Sequence, residues 1–298
     1  VNDIGTQYRI IESGAGWIAR AGRGRLRFAG RDRLSFLQAL LTNDLAVVGP
    51  QRGAYAAYLT PQGRLITDLR LYDRADGLVA DVPAALADGL VARFDSLIFA
   101  EDVSVSNISG AMAEVGVMGA RAAALLGRAL GVDAESLEAL PVLGVVEAGP
   151  MFVARSDEAD VPVFDVFMPA AEREAVIARL SAAGVEPLSD AIAETLRIEA
   201  GRPAFGPDMD DQTIPLEAGL LERAISLTKG CYVGQEIIVR VLHRGGGRVA
   251  KRLVKLTFDP EVRTPPASGA ALQIDGHDVG RVTSAAWSPR LGRVVALG

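Results

Sequence analysis

The sequence predicts an α+β body followed by a small all-β domain, and three observations carry that prediction. Strand-like and helix-like patterns alternate over roughly the first two-thirds of the chain. After about Leu242 the helical spacing stops and only β-type alternation remains. The length, 298 residues, corresponds to about two domains. The boundary is placed between residues 1–242 and 243–298.

Leu26 to Ala29 is strand-like, and Asp32 stands in N-cap position before the apolar helical face Leu34, Phe36, Leu37, Leu40 and Leu41. Ala54 to Leu59 and Leu65 to Tyr72 read as strands joined by the turn Thr60-Pro61-Gln62-Gly63. Leu78 to Val82 is a third strand, and Pro83 opens a helix carrying Leu86, Leu90, Phe94 and Leu97. Glu114 to Met118 is strand-like, and Arg121 to Leu130 is helical with Gly131 closing it. The strand Val163 to Met168 precedes a helix from Glu172 to Ala183, with Val176, Ile177 and Leu180 inward and Gly184 at its end. A last helix, Ala191 to Ala200, is closed by Gly201 and stopped by Pro203. These elements suggest ferredoxin-like units. Beyond Gly245-Gly246-Gly247 come a strand from Leu253 to Phe258 and a hairpin, Leu272–Ile274 and Val279–Val282, turning at Asp275-Gly276. A small barrel accounts for them.

Composition narrows the function classes. Apolar residues make up 49%, yet no window approaches 18 uninterrupted apolar residues, so no membrane span is expected. The start Val1-Asn2-Asp3 lacks a signal-peptide pattern. One cysteine rules out an internal disulfide, which makes a reducing, cytoplasmic setting the expectation. A net charge of -6 argues against a duplex-DNA binder. Two basic runs, Arg20 to Arg33 and Arg240 to Lys255, read as solvated strand faces and turns, with contact to a polyanion as the other reading.

Gly14-Ala15-Gly16-Trp17-Ile18-Ala19 matches G-x-G-x-x-A, but no helical apolar face follows it, so a turn between strands is expected instead of a nucleotide site. One Cys with His243 and His277 cannot furnish a four-ligand zinc site, and an iron–sulfur cluster takes four thiolates. No resident metal is expected. A Cys231–His243 nucleophile pair lacks an identifiable orienting partner. What stands out is Lys229-Gly230-Cys231-Tyr232-Val233-Gly234-Gln235-Glu236, a lone thiol beside a cation with two glycines around it. Two acids stand against local preference. Glu199 opposes the dipole at a helix C-terminus, and Asp68 interrupts the apolar strand Leu65-Ile66-Thr67-Asp68-Leu69. Each is read either as ligand-facing or as paired, Glu199 then with Arg197 or Arg202.

Lys229 to Glu236 resembles the K-G-C-[FY]-x-G-Q-E signature of the YgfZ-type folate-binding proteins, relatives of the glycine-cleavage T-protein (GcvT-like aminomethyltransferases). Phe36-Leu37-Gln38 with Leu41-Thr42-Asn43-Asp44-Leu45, Pro61-Gln62-Gly63-Arg64 and Arg197-Ile198-Glu199-Ala200-Gly201 are similar to further motifs of that family, as is Gly280 to Gly298. The resemblance spans nearly the whole chain. It implies a GcvT/YgfZ-like three-domain ring around a hole that binds tetrahydrofolate or a derivative. It also implies a monomeric accessory factor for [4Fe-4S] proteins, including tRNA-modifying enzymes, with iron–sulfur clients or carriers as partners and a weak tRNA contact.

On this resemblance Asp68 and Glu199 anchor the pterin, and Tyr232, Gly234, Gln235, Glu236 and Arg240 border the folate. Lys229 keeps Cys231 partly thiolate for exchange with a partner's thiol. Thr67-Asp68 departs from the Asp-Asp pair of T-proteins, which argues against aminomethyl transfer. The alternatives are such a transferase, or a non-catalytic folate sensor or RNA-binding module.

Overall fold

The computed structural model describes residues 3–244 and 246–298. Two β-sheets face one another, each covered by helices on its outer side. The first runs, in spatial order, Ala54–Leu59, Leu65–Arg74, Gly77–Pro83, Arg23–Ala29 and Ser104–Asn107, antiparallel throughout. Alternation along the strands sorts its residues by face. Leu26, Phe28, Ala56, Leu69, Leu71, Ala80 and Val82 share a core with Phe36, Leu37, Leu90 and Phe94 of the helices Arg33–Leu40 and Ala87–Asp95. Their neighbours Arg25, Asp68, Arg70, Tyr72 and Asp81 therefore turn to the other face, and all are buried.

The second sheet orders Glu186–Pro187, Gly16–Ala19, Met112–Met118, Val163–Pro169, Met151–Ser156 and Val145–Ala148. Only the Glu186–Pro187 pairing is parallel. Val115, Val117, Phe164, Val166 and Val153 pack under helices Ala122–Leu130 and Arg173–Ala182. The opposite face presents Glu114, Asp165, Phe152 and Phe167.

At one end the two inner faces meet through aromatic rings. Phe152 and Phe167 stack with centroids 4.5 Å apart, and Tyr72 of the first sheet lies 5.6 and 5.3 Å from them. Further along, the interface is polar. Gly116 makes this geometry feasible, because a Cβ there would stand 2.7 Å from the Arg20 Nε. Arg20 thus lies across the strand at Gly116 to reach Asp165 opposite.

Residues of the segment after Gly201 (Met209, Leu216, Leu220, Ile225, Tyr232 and Ile238) close over Tyr55, Leu59 and Leu65. The C-terminal part forms a three-stranded sheet, Lys255–Thr257, Arg293–Leu297 and Ser284–Ser288, beside the hairpin Ala271–Ile274 and His277–Arg281. Val295 and Leu297 rest on Ile198 of helix Asp190–Glu199. Mixed α+β content with a small C-terminal β-domain is as expected. Among the described residues no helix is long and apolar enough to cross a membrane.

Several expectations need correction. A helix, Ile4–Ser13, precedes Gly14, so the glycine pair joins helix to strand and not strand to strand. This order is the reverse of a dinucleotide fold, in which a strand precedes the glycines and a helix follows them. Asp32 sits at its N-cap position, but its carboxylate accepts from Asp102 N at 2.9 Å and does not cap the helix. The strand after Leu253 shortens to Lys255–Thr257. Gly245 lies outside the described residues, whereas Gly246 and Gly247 adopt positive φ in a turn. Helix Gln235–His243 had no counterpart in the sequence reading, because Ile237-Ile238-Val239 favours strand by local preference.

Replacing Phe167 by Ala should cost about 3–5 kcal/mol in urea denaturation, the range for deleting a buried aromatic. A loss under about 1 kcal/mol would show that the aromatic contact does not hold the sheets together.

Candidate functional site

Next to the aromatic contact the inner faces diverge around a cavity of about 390 Å³. Its walls come from both sheets, from helix Asp190–Glu199 and from the loop that follows that helix. Such a volume falls in the ordinary range of small-molecule sites.

The floor is a network of buried charge. Arg20 lies 2.6 Å from Asp165 and 2.7 Å from Glu158. Arg70 lies 2.7 Å from Glu158 and 3.3 Å from Asp81, which Arg23 grips at 2.8 Å. Burial opposes ionisation of Glu158, yet Arg20 and Arg70 hold its carboxylate well below the usual range. Glu114 goes the other way. Burial, with Asp81 and Asp165 adding to it, pushes its carboxyl well above the usual range. Its nearest cations, Arg25 and Arg20, stand 3.8 and 3.9 Å away, and its buried Oε2 has no hydrogen bond.

Asp68 differs from these acids. It lines the cavity, is 5% exposed, and accepts from the Tyr55 hydroxyl through Oδ2 at 3.0 Å. Its Oδ1 is buried without a hydrogen-bond partner. Among the described residues no cation stands within ion-pair distance of it. Tyr55 is itself gripped, with the guanidinium groups of Arg223 and Arg70 5.0 and 5.6 Å from its ring centre. Burial, reinforced by Asp68, raises the Tyr55 hydroxyl well above its ordinary value, so it remains a donor. Asp157 accepts two bonds from Arg223, at 2.8 and 2.9 Å, and stands 3.9 Å from Arg202. Two arginines thus share one acid on that wall.

The other sequence-predicted residues do not gather here. Glu199 is outside the cavity lining; its carboxylate accepts from the Tyr8 hydroxyl and pairs with Arg290 at 2.8 Å. It ties the N-terminal helix to the C-terminal sheet's turn, and neither Arg197 nor Arg202 is its partner. Its carbonyl, at the helix end, takes the Lys255 ammonium at 2.9 Å.

Cys231 is exposed and does not line the cavity. Lys229 directs its three donors to the carbonyls of Gln38, Leu41 and Asn43, at 2.6, 2.6 and 3.0 Å. The reason is the C-terminal end of helix Arg33–Leu40, whose free carbonyls attract a cation. Burial draws the Lys229 ammonium down to about 8. Lys229 therefore anchors the loop, and no donor is left over for the Cys231 sulfur. Tyr232 is buried in the cluster around Leu59. Gly234 takes φ 83 where a Cβ would meet the Thr60 carbonyl at 2.6 Å, and the Gln235 side chain accepts from Tyr232 N at 3.3 Å. Glu236 and Arg240 pair with each other at 2.8 Å on the surface. The basic run Arg20 to Arg33, read as solvated, instead supplies Arg20, Arg23 and Arg25 to the interior network.

Sequence reasoning passed over Tyr55, Asp81, Glu114, Asp157, Glu158, Asp165 and Arg223. Asp165 carried a usable signal, an acid within the apolar run Val163-Phe164-Asp165-Val166-Phe167, the same signature that marked Asp68. Among the described residues no group of His, Cys, Asp and Glu is arranged to hold a metal ion.

Comparison with known proteins adds an independent line. The GCVT N-terminal domain family matches residues 2–229, and the glycine cleavage T-protein C-terminal barrel domain matches residues 251–298. An aminomethyltransferase of Rubrobacter xylanophilus is 32% identical over 296 residues, covering 99% of this chain and 78% of the relative. An aminomethyltransferase of a Synechococcus species is 31% identical, covering 88% and 72%. The crystal structure of glycine cleavage system aminomethyltransferase T from Bartonella henselae superposes with a TM-score of 0.85 at 22% identity, over 99% of this chain and 80% of that one.

The raised Glu114 carboxyl generates a pH prediction. A folded-state value above the unfolded one means that the native protein binds the extra proton. Stability is then lost as pH rises from about 4.3 through the folded value. Glu114→Gln removes that loss. Urea midpoints should match wild type near pH 4 and exceed it increasingly toward pH 8. A variant less stable than wild type at pH 8 would mean that Glu114 is an ionised partner of Arg20 and Arg25.

Proposed function

We propose folate-dependent one-carbon transfer, of the aminomethyl type, for this chain, which belongs to the glycine cleavage T-protein family. The family's cofactor is tetrahydrofolate or a derivative. The observation that carries the reading is the open Oδ1 of Asp68, a buried acceptor on the cavity wall. A reduced pterin is rich in N–H donors, and an ionised carboxylate is acceptor-only, so the two are complementary. When bound, the folate supplies nitrogens that carry a one-carbon unit.

The chain's own residues do the rest. Tyr55 fixes the Asp68 rotamer, leaving Oδ1 to hold or receive a proton at the ligand. Ile18, Met118, Leu196 and Phe205 give the cavity apolar walls that exclude water. Arg202 and Arg223, sharing Asp157, leave net positive charge for an anionic tail.

The departure at Thr67 weighs less than the sequence suggests. Neighbouring strand residues point to opposite faces, so with Asp68 on the cavity, Thr67 turns toward the helix-covered side. Its hydroxyl donates to the Asp68 carbonyl at 3.0 Å, and the side chain is fully buried. The acid facing the cavity is the one retained.

A second reading rests on the exposure of Cys231. A thiol on a loop pinned by Lys229 and Gly234 would suit exchange with iron–sulfur client or carrier proteins, as in an accessory factor of the YgfZ type serving [4Fe-4S] enzymes that modify tRNA. One experiment separates the two. Tetrahydrofolate binding and turnover with an aminomethyl donor are measured for wild type, Asp68→Asn and Cys231→Ala. Losing a charge-assisted hydrogen bond should weaken binding by Asp68→Asn roughly 10- to 100-fold, with turnover falling at least as far, and Cys231→Ala should match wild type. Absence of turnover in wild type, with [4Fe-4S] enzyme activities in cells lost on Cys231→Ala, would favour the accessory factor.

A further inference from the structure

We infer that Asp208 is the positioning residue through which the C-terminal β-domain shapes the cavity wall, so that ligand occupancy and docking of that domain are coupled. The inference rests on the central cavity being the ligand site.

The wall in question is the loop from Arg202 to Asp210. Arg202, Ala204 and Phe205 line the central cavity, while Asp208 and Asp210 line a second cavity of about 690 Å³ against the C-terminal domain. Pro207 borders both. The loop is tightly folded on itself: Asp208 N donates to Ala204 O at 3.0 Å, Gly206 N donates to Met209 O at 2.8 Å, and Gly206 takes φ 103.

The Asp208 carboxylate, with a fully buried side chain, divides its oxygens between the two sides. Oδ2 accepts from Arg197 Nη1 at 2.6 Å and from Ala204 N at 3.0 Å. Both of those residues are on the central cavity. Oδ1 accepts from the hydroxyls of Thr283 at 2.5 Å and Ser284 at 2.7 Å, both in the C-terminal domain. Ser284 Oγ also takes Arg197 Nη2 at 3.0 Å, closing a ring through the guanidinium.

Four donors fill the acceptor capacity of one carboxylate. Movement of the wall therefore breaks bonds to the C-terminal domain, and movement of that domain releases Arg197 and Ala204. Coupling of this kind is reciprocal in binding free energy. A ligand that orders the wall must also tighten the docking of residues 282–297.

Hydrogen exchange with and without tetrahydrofolate tests this, on wild type and on Thr283→Val, which keeps shape and removes one hydroxyl. In wild type the ligand should slow exchange both in the loop and in residues 282–297. Thr283→Val should bind about tenfold more weakly and confine protection to the loop. Protection limited to the loop in wild type, or unchanged affinity in Thr283→Val, would overturn the inference. Should Thr283→Val fold poorly, Ser284→Ala provides the same test.

If wild type binds no tetrahydrofolate, the reading of the cavity fails and the coupling is judged by thermal unfolding alone. Wild type should then melt in one transition, and Thr283→Val should release the C-terminal domain at lower temperature. Separate melting in wild type would sink the coupling as well.

Discussion

The arrangement of this protein depends on a layer of paired charge between two sheets. Arg20, Arg23 and Arg70 are held by Glu158, Asp165 and Asp81, with Glu158 shared by two arginines and Asp81 by two. Burying such groups is costly, and only close pairing offsets the loss of water. An apolar interface here would be the cheaper solution, and the Tyr72–Phe152–Phe167 contact shows that solution at the other end. Aromatic packing brings the sheets together there. Long charged side chains span the gap elsewhere, and the cavity opens beside them.

That division explains which parts of the architecture were legible in the sequence. Period-2 alternation in Arg23-Gly24-Arg25-Leu26-Arg27-Phe28 identifies a strand with one apolar face. It does not say what the polar face meets. Solvent is the commoner partner of an arginine row, and here the partner is a second sheet carrying carboxylates. The two acids flagged for standing against their local context shared a signal but not a destination. Asp68 meets a cavity. Glu199 meets Tyr8 and Arg290, contacts from the N-terminal helix and the C-terminal sheet that no local pattern announces. Tertiary partners from distant chain segments decide such cases.

The cysteine loop shows the same limit. Its glycines and lysine marked it as special, and the structure gives Gly234 and Lys229 local tasks. Gly234 provides a left-handed turn pressed against Thr60, and Lys229 satisfies a helix end. Those tasks, with Tyr232 buried beside Leu59, account for Lys229, Gly234 and Tyr232 without any sulfur chemistry. Cys231 is the part left over, an exposed free thiol. Its presence is the observation that keeps an accessory role in view beside a transferase.

The same reasoning favours Asp68 as the centre of the chemistry. Of the other acids in the network, Glu158, Asp165 and Asp81 are paired with arginine, and burial, with Asp81 and Asp165 adding to it, pushes the Glu114 carboxyl well above the usual range. Asp68 has a hydroxyl on one oxygen and nothing on the other, beside acids that are held by arginine. A buried acceptor left open is unfavourable in the free protein. A donor arriving at Oδ1 would recover that cost, which is the physical reason the proposed ligand contact is placed at this atom. Paired charges hold the cavity open, and the unpaired one gives it a direction.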